Sequence, residues 1–449
     1  MSEYLAPTEA VTPETPHNEI DVTVPELQAL AMQLHREHRL DGAEKCYRTL
    51  LEVDPGNANA LHFLGVLLWQ RGKGPESLEL IRKSIAIDPM VASWHNNLGN
   101  VLLENRSYDE AAACYARCSA LEPDNLEVLN NLGILLSNMQ RPKEAEEILL
   151  RAVAVSPGFG DAHANLATLY SELGRLTEAF SHFAEALALK PTDRNTLRLL
   201  TVAYGYAGRM AEGEKTCLEW LKFDPGNAQA LHLLAAFGGR ATPDRASDQY
   251  VEAEFDGFAG SFDAKLADLN YRAPELVSEA VANLRMVTDP KWQILDLGCG
   301  TGLCGPYLKP FSSHLVGIDL SGNMLERARV RELYDDLVKC ELVDYLSACG
   351  VIHDLLVSAD TLCYFGRLEA VFSGVHRCLR PDGYWVFTVE AHDEASEFKL
   401  QVNGRYSHSR SYIESALHHA GFSHVNVREA VLRFEMAKPV AGWLVSAQA

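Results

Sequence analysis

Two patterns of apolar and polar positions divide this chain. Up to about residue 237 the apolar positions follow helical spacing, and the arrangement returns every 34 residues. From about residue 291 short apolar runs alternate with helical stretches. Strands are expected at Ile294–Leu297, His314–Asp319, Glu341–Asp344, Asp354–Asp360 and Tyr384–Val389, and near 424–433 and 441–447. Helices are expected at 303–308, 322–331, 366–379 and 411–420. Alternating strands and helices imply a parallel sheet covered on both faces. The last two strands, separated only by a short turn, are expected to form an antiparallel pair.

The repeat in the first half is marked by prolines at 55, 89, 123, 157, 191 and 225. Ten residues after each stands a small residue, Gly65, Gly99, Gly133, Ala167, Thr201 or Ala235, preceded in every case by leucine. Twenty-two residues after the first five stand Ser77, Ala111, Ala145, Ala179 and Gly213. Small residues at these two places let paired helices approach closely, and the leucine fills the seam. The period and the register are similar to those of tetratricopeptide repeats. Six repeats and a capping helix are expected over 23–237, with a disordered leader at 1–22 and a linker at 238–248. Asn97, Asn131 and Asn165 recur at the same interval. In this respect the array resembles that of O-linked N-acetylglucosamine transferase, in which asparagines at this position grip an extended peptide. The resemblance implies a protein or peptide partner in a concave groove. An amide can donate to and accept from a main chain; stabilising inter-repeat turns is the other reading of these residues.

In the second half, Ile294-Leu-Asp-Leu-Gly-Cys-Gly-Thr-Gly302 leads an apolar strand into an acid and a glycine turn. Glycine permits positive φ and a close backbone approach to a ligand, and the turn opens onto a helix start, the positive end of the dipole. A dinucleotide fingerprint would need its third glycine at 303, where Leu303 stands. Asp296 would repel a pyrophosphate and suits a ligand bearing an ammonium group. Asp296-x-Gly-x-Gly-x-Gly302 resembles motif I of class I S-adenosylmethionine-dependent methyltransferases.

That resemblance covers about residues 291–449. It implies a Rossmann-like α/β domain with a seven-stranded sheet whose last pair is antiparallel, after an all-α solenoid. It also implies S-adenosylmethionine as cofactor, held by Asp296, Gly298, Gly300 and Gly302. Asp319 would take the ribose, Met324 an adenine face and Asp344 the adenine amino group; strand-end and helix-cap acids are the plainer reading of the two aspartates. The aromatic stripe Tyr250, Phe255, Phe258, Phe262 reads either as core or as a helical lid over 249–290, from which Tyr271 and Arg272 would reach the cofactor. Arg380-Pro-Asp-Gly383 departs from the family's Lys/Arg-Pro-Gly-Gly turn; Asp tolerates left-handed geometry. Candidate bases are Tyr364, His392 and His408, with a structural role as the alternative for each histidine.

Composition narrows the acceptor and the setting. The net charge of −21 is spread over both halves: 19 basic against 28 acidic residues from 245 onward leaves −9 there and −12 upstream. Neither half is a basic surface, so no nucleic acid partner is expected. The absence of a long apolar run predicts no membrane span. Ten cysteines without CxxC spacing read as buried thiols, with no metal site, in a cytoplasmic protein. Two functions follow. One is a methyltransferase acting on oxygen or nitrogen of a small molecule, glycan or protein side chain, its repeats recruiting a protein substrate or partner. The other is a repeat adaptor whose second domain senses S-adenosylmethionine or is vestigial.

Overall fold

A computed structural model describes residues 23–257, 259–260, 262–284, 291–435 and 438–449; the leader expected at 1–22 lies outside them. The chain divides into two compact units, Met1–Met139 and Gln140–Ala449.

The first unit contains α1 (Val24–Arg36), α2 (Leu40–Val53), α3 (Ala58–Gln70), α4 (Gly74–Ile87), α5 (Ala92–Glu104), α6 (Tyr108–Leu121) and α7 (Leu126–Asn138). α1 packs on α2, α3 on α4 and α5 on α6. Each of these pairs is followed by a turn that holds one of the recurring prolines, which cannot continue a helix. Asn57 and Asn125 cap the helices that follow, each side chain accepting from a backbone N–H three residues on. The small positions do what their spacing implied. A Cβ on Gly65 would stand 2.6 Å from Ile81, and one on Gly99 would stand 2.7 Å from the Tyr115 ring.

The second unit opens with α8 (Pro142–Val155), α9 (Gly160–Glu172), α10 (Leu176–Leu189), α11 (Arg194–Tyr206), α12 (Met210–Phe223) and α13 (Ala228–Ala236). α9 packs on α10, α11 on α12 and α12 on α13. Three further helices, α14 (Asp248–Asp256), α15 (Phe262–Asp268) and α16 (Ala273–Asn283), lead to the sheet.

The sheet starts with β1 (Trp292–Leu297), followed by α17 (Gly305–Leu308), β2 (Ser312–Asp319) and α18 (Gly322–Val330). β3 (Asp336–Lys339), α19 (Leu342–Ala348), β4 (His353–Ser358), α20 (Glu369–Cys378) and β5 (Leu379–Ala391) continue it. β6 (Phe398–Leu400), β7 (Tyr406–His408), α21 (Arg410–His419), β8 (Ser423–Glu435) and β9 (Lys438–Gln448) complete it. The order β3-β2-β1-β4-β5 is parallel throughout. β9 runs antiparallel on β5, and β8 antiparallel on β9. Two apolar layers enclose the sheet, one around Phe372, Trp385 and Phe387 and the other around Ile294, Leu355 and Val386.

Three expectations need correction. The third strand is Asp336–Lys339, which pairs with β2, whereas Leu342 and Asp344 belong to a helix capped by Glu341. The expected seven strands gain a short hairpin, β6–β7, attached to the end of β5 at Glu390 and Ala391. The stretch 238–248 is also tied down rather than free. Ala246 N–H donates to the Tyr364 carbonyl at 2.8 Å, and the N–H groups of Gly366 and Arg367 donate to the Asp244 carbonyl. The turn at 380–383 survives as an irregularity in β5, with Asp382 in the left-handed region at φ 63°.

Candidate functional site

β1 lies between β2 and β4, so the strand order reverses beside it. In a doubly wound sheet the crevice beyond the carboxyl ends of such strands is where ligands bind. A cavity of about 670 Å³ occupies this place. Gly298 and Gly300 from the turn after β1 line it, as do Asp319 and Leu320 at the end of β2. So do Glu341 beyond β3, and Asp360, Cys363 and Tyr364 beyond β4.

The turn depends on its glycines. Gly298, Gly300 and Gly302 have φ of 72°, 55° and 84°. A Cβ on Gly298 would sit 2.3 Å from Thr361, whose hydroxyl donates to the Leu297 carbonyl at 3.1 Å. Gly300 N–H donates to Asp319 Oδ2 at 2.9 Å, and Ser321 N–H to Asp319 Oδ1 at 2.8 Å. Asp319 thereby ties the turn to the end of β2. Burial holds its carboxyl above the usual range.

Asp296 lies under the turn and is 1% exposed. Its Oδ2 accepts from the Tyr334 hydroxyl at 2.6 Å, and Oδ1 finds no partner among the described residues. Burial pushes its carboxyl up to about 7, the Tyr334 hydroxyl works against this, and the Asp319 charge adds to it. Asp296 does not itself line the cavity; its carboxylate lies beneath a turn whose Gly298 and Gly300 do, an arrangement that fits a cofactor with an ammonium group through charge rather than direct contact.

The helices before the sheet form a cover. Phe255, Phe262, Leu266 and Tyr271 line the cavity, whereas Tyr250 is buried against His232; Phe258 lies outside the described residues. α15 is fastened to the glycine turn, because Asp263 accepts from the Thr301 hydroxyl and from Arg331, both at 2.5 Å.

Several expected residues stand elsewhere. Met324 is 1% exposed and packs in the interior, leaving Leu320 at the cavity. Asp344 is exposed in the first turn of α19, and Glu341, three residues earlier, takes the place on the cavity wall. Arg272 faces Glu275 and Glu279 at 3.6 and 3.9 Å, away from the cavity. His408 is sealed in the interior, with Nε2 donating to the Gly366 carbonyl at 3.0 Å and burial holding it down to about 4. His392 bonds to Ser407 and to the Ser396 carbonyl and does not line the cavity. Of the three candidate bases, Tyr364 alone does, and burial pushes its phenol well up.

What sequence reasoning missed is an ionic cluster at the inner wall. Arg433, 2% exposed, bonds Asp360 at 2.5 Å, Glu435 at 2.7 Å, and Glu390. Arg405 bonds Glu435, and its Nε stands 2.6 Å from Glu390 without hydrogen-bond alignment. Asp360 has a backbone φ of 58°, a left-handed value that Asp adopts more readily than most residues with a side chain. Its place at the end of strand four was the available signal; the arginines come from distant segments. The cavity lining also includes Arg194, Asn195, Arg198 and Gln229 from α11 and α13.

Fold and site together define a doubly wound domain with a glycine-turn cofactor crevice. Residues 295–387 match the methyltransferase domain family, and 29–92, 90–158 and 124–192 match tetratricopeptide repeats. The chain therefore carries tetratricopeptide repeats followed by a methyltransferase domain. Over 184 residues it is 28% identical to the biotin biosynthesis bifunctional protein BioHC of Saccharophagus degradans, covering 40% of this chain and 32% of that one. Over 169 residues it is 29% identical to phosphoethanolamine N-methyltransferase 1 of Zea mays, covering 36% and 33%. Over 130 residues it is 28% identical to malonyl-[acyl-carrier protein] O-methyltransferase of Salmonella typhimurium, covering 28% and 51%. The chain thus spans a third to a half of these curated relatives. Among solved structures, the TPR protein YrrB is 22% identical with a TM-score of 0.36, covering 41% of this chain and 96% of that one.

Proposed function

We propose that the protein is an S-adenosylmethionine-dependent methyltransferase that methylates an oxygen or nitrogen, its repeats recruiting a protein substrate or partner. The observation that carries this reading is the positive-φ glycine turn over the buried, half-paired Asp296, opening into a cavity that the last repeat helps to wall. The bound cofactor supplies a methyl group on a positively charged sulfur. Gly298 and Gly300 leave room for its close approach, Asp319 offers acceptors for ribose hydroxyls, and the charge of Asp296 opposes that of an ammonium group. Glu341 and Leu320 would flank the adenine. The aromatic residues of α14 and α15 exclude water, and orientation with exclusion of water is most of what a displacement at sulfonium carbon needs.

The repeats are protein- or peptide-binding modules in this reading. Asn97 Nδ2 lies 3.1 Å from His62 Nε2 of the preceding repeat, so a peptide there would compete with an existing contact. Changing Asn97, Asn131 and Asn165 together to Ala should weaken partner binding at least tenfold, and unchanged affinity would remove the ladder. No helix among the described residues is long and apolar enough to cross a membrane; we place the protein in the cytoplasm, to be checked by fractionation. The cofactor reading is tested by calorimetry with S-adenosylmethionine and S-adenosylhomocysteine, using Asp296→Ala as the weakened control. No binding by the wild-type chain would leave only the adaptor role.

A further inference from the structure

The names of the relatives include both oxygen and nitrogen methylation, so the acceptor has to be argued from the inner wall of the cavity. There an ionic cluster sets Asp360, Glu390 and Glu435 against Arg405 and Arg433; all but Glu390 line the cavity, as do Arg194, Arg198, Arg245 and Lys265 outside the cluster. Three carboxylates against two guanidinium groups leave one formal negative charge, in a place where Arg433 and Glu390 are almost closed to water. Both arginines are occupied by these carboxylates, and no cation of the cluster remains for an anionic acceptor. The imbalance is localised. Asp360 Oδ2 is held by Arg433, while Oδ1 has no partner among the described residues. Asp360 lines the cavity between Ala359 and Thr361. Phe255, Phe262, Tyr271 and Tyr364 line the same cavity, and aromatic faces favour a cation.

We infer that the methyl acceptor is an amine that enters as an ammonium ion, and that Asp360 binds it and takes its proton. The inference rests on the methyltransferase reading and narrows its acceptor to one chemical class. An N–H bond of the ammonium breaks and its proton passes to Asp360 Oδ1, giving a carboxylic acid and a neutral amine. The nitrogen lone pair then forms the new N–C bond as the S–C bond breaks, and that electron pair stays on sulfur as a thioether. Burial already holds the Asp360 carboxyl above the usual range against the opposing effect of Arg433, which suits a group that must accept a proton. A carboxylate acceptor would face the unpaired oxygen of Asp360 with like charge. A hydroxyl would leave the charge of the cluster unmatched.

The test uses the full chain and the Asp360→Asn variant, since Asn also tolerates the left-handed backbone. S-adenosylhomocysteine is titrated into both first; affinities within threefold of each other show a folded cofactor site, and failure of the wild type to bind would sink the methyltransferase reading instead. With that product bound, n-pentylamine, n-pentanol and pentanoate are compared as probes. The amine should bind the wild type at least tenfold tighter than the other two, and the variant should lose that preference. In lysate with a labelled methyl donor, the wild type should give alkali-stable label recovered as N-methyl amine. Equal binding of the three probes, a preference for alcohol or carboxylate, or a preference kept by the variant would overturn the inference. So would label released by alkali as methanol, label in methyl ethers, or no label at all from a chain that binds the cofactor.

Discussion

Replacing Gly298 by Ala should damage the site far more than the same change at Gly300, although both have positive φ. The shared cost is the left-handed backbone, roughly 1–2 kcal/mol for a residue with a Cβ. At Gly300 the nearest neighbour of a new Cβ is Phe262 at 3.9 Å, ordinary contact, so little is added. At Gly298 the Cβ would meet Thr361 Oγ1 and Cγ2 at 2.3 Å. Thr361 is β-branched and its hydroxyl donates to the Leu297 carbonyl, so its displacement loses a hydrogen bond of about 1 kcal/mol. Repacking adds about 1–3 kcal/mol more. The totals are roughly 3–6 kcal/mol for Gly298→Ala against 1–2 for Gly300→Ala. For a domain of this size about 1 kcal/mol moves the melting point by about 2–4 °C. Thermal unfolding, followed on the transition that S-adenosylhomocysteine shifts, should drop by about 6–24 °C for the first variant and by about 2–8 °C for the second. Product affinity should fall at least tenfold only in the first. If Gly298→Ala melts no lower than Gly300→Ala, the close approach of Thr361 is not what the glycine serves.

Three further expectations concern buried polar groups. Asp296, raised from the ordinary carboxylate range to about 7, makes the ligand-free protein most stable below that range and less stable as pH rises through about 7, by up to roughly 4 kcal/mol. Asp296→Asn should therefore melt higher than the wild type at pH 8 and equally near pH 3.5; parallel melting curves across that window would refute this. Arg433→Met leaves three carboxylates without their shared cation and should cost about 3–5 kcal/mol, read as a lowered melting temperature, with an unchanged one counting against the cluster. His232→Ala removes the 2.8 Å bond from Nε2 to the Gly404 carbonyl and should cost about 1–3 kcal/mol. Faster hydrogen exchange over 398–408 is the readout, and unaltered exchange would separate α13 from that hairpin.

The His232 bond also explains why the hairpin was not legible in the sequence. β6 and β7 are three residues each, too short for any alternation to show. They are held by contacts from elsewhere: a Cβ on Gly205 of α11 would stand 2.4 Å from Val402, and the Tyr406 hydroxyl donates to the Pro243 carbonyl at 2.8 Å. Gly238 to Arg245 carries the composition of a loop, yet its Asp244 carbonyl is bonded by Gly366 and Arg367, some 120 positions later. The histidines failed for a related reason. His408 was placed by its position after strand five, but whether such a ring faces a cavity or a core depends on what packs over it. Here it stacks on Tyr412 at 6.0 Å.

Asp336-Leu-Val-Lys339 and Glu341-Leu-Val-Asp344 mark the boundary between the two kinds of information. Both are an acid, Leu, Val and a polar residue, and local preference does not separate them. The first became a strand because Leu337 and Val338 pair with Gly317 and Ile318; the second became a helix start because Glu341 caps it. By contrast, the 34-residue period, the small residues in the helix seams and the glycine turn after Asp296 were legible at once. Each states a local requirement, helix pitch, close approach or positive φ, that a few neighbouring residues satisfy. The cluster of Asp360, Glu390, Arg405, Arg433 and Glu435 has no such local signature. Its members meet because three strand ends and a hairpin converge, and their charges acquire meaning only where burial removes the water that would otherwise screen them.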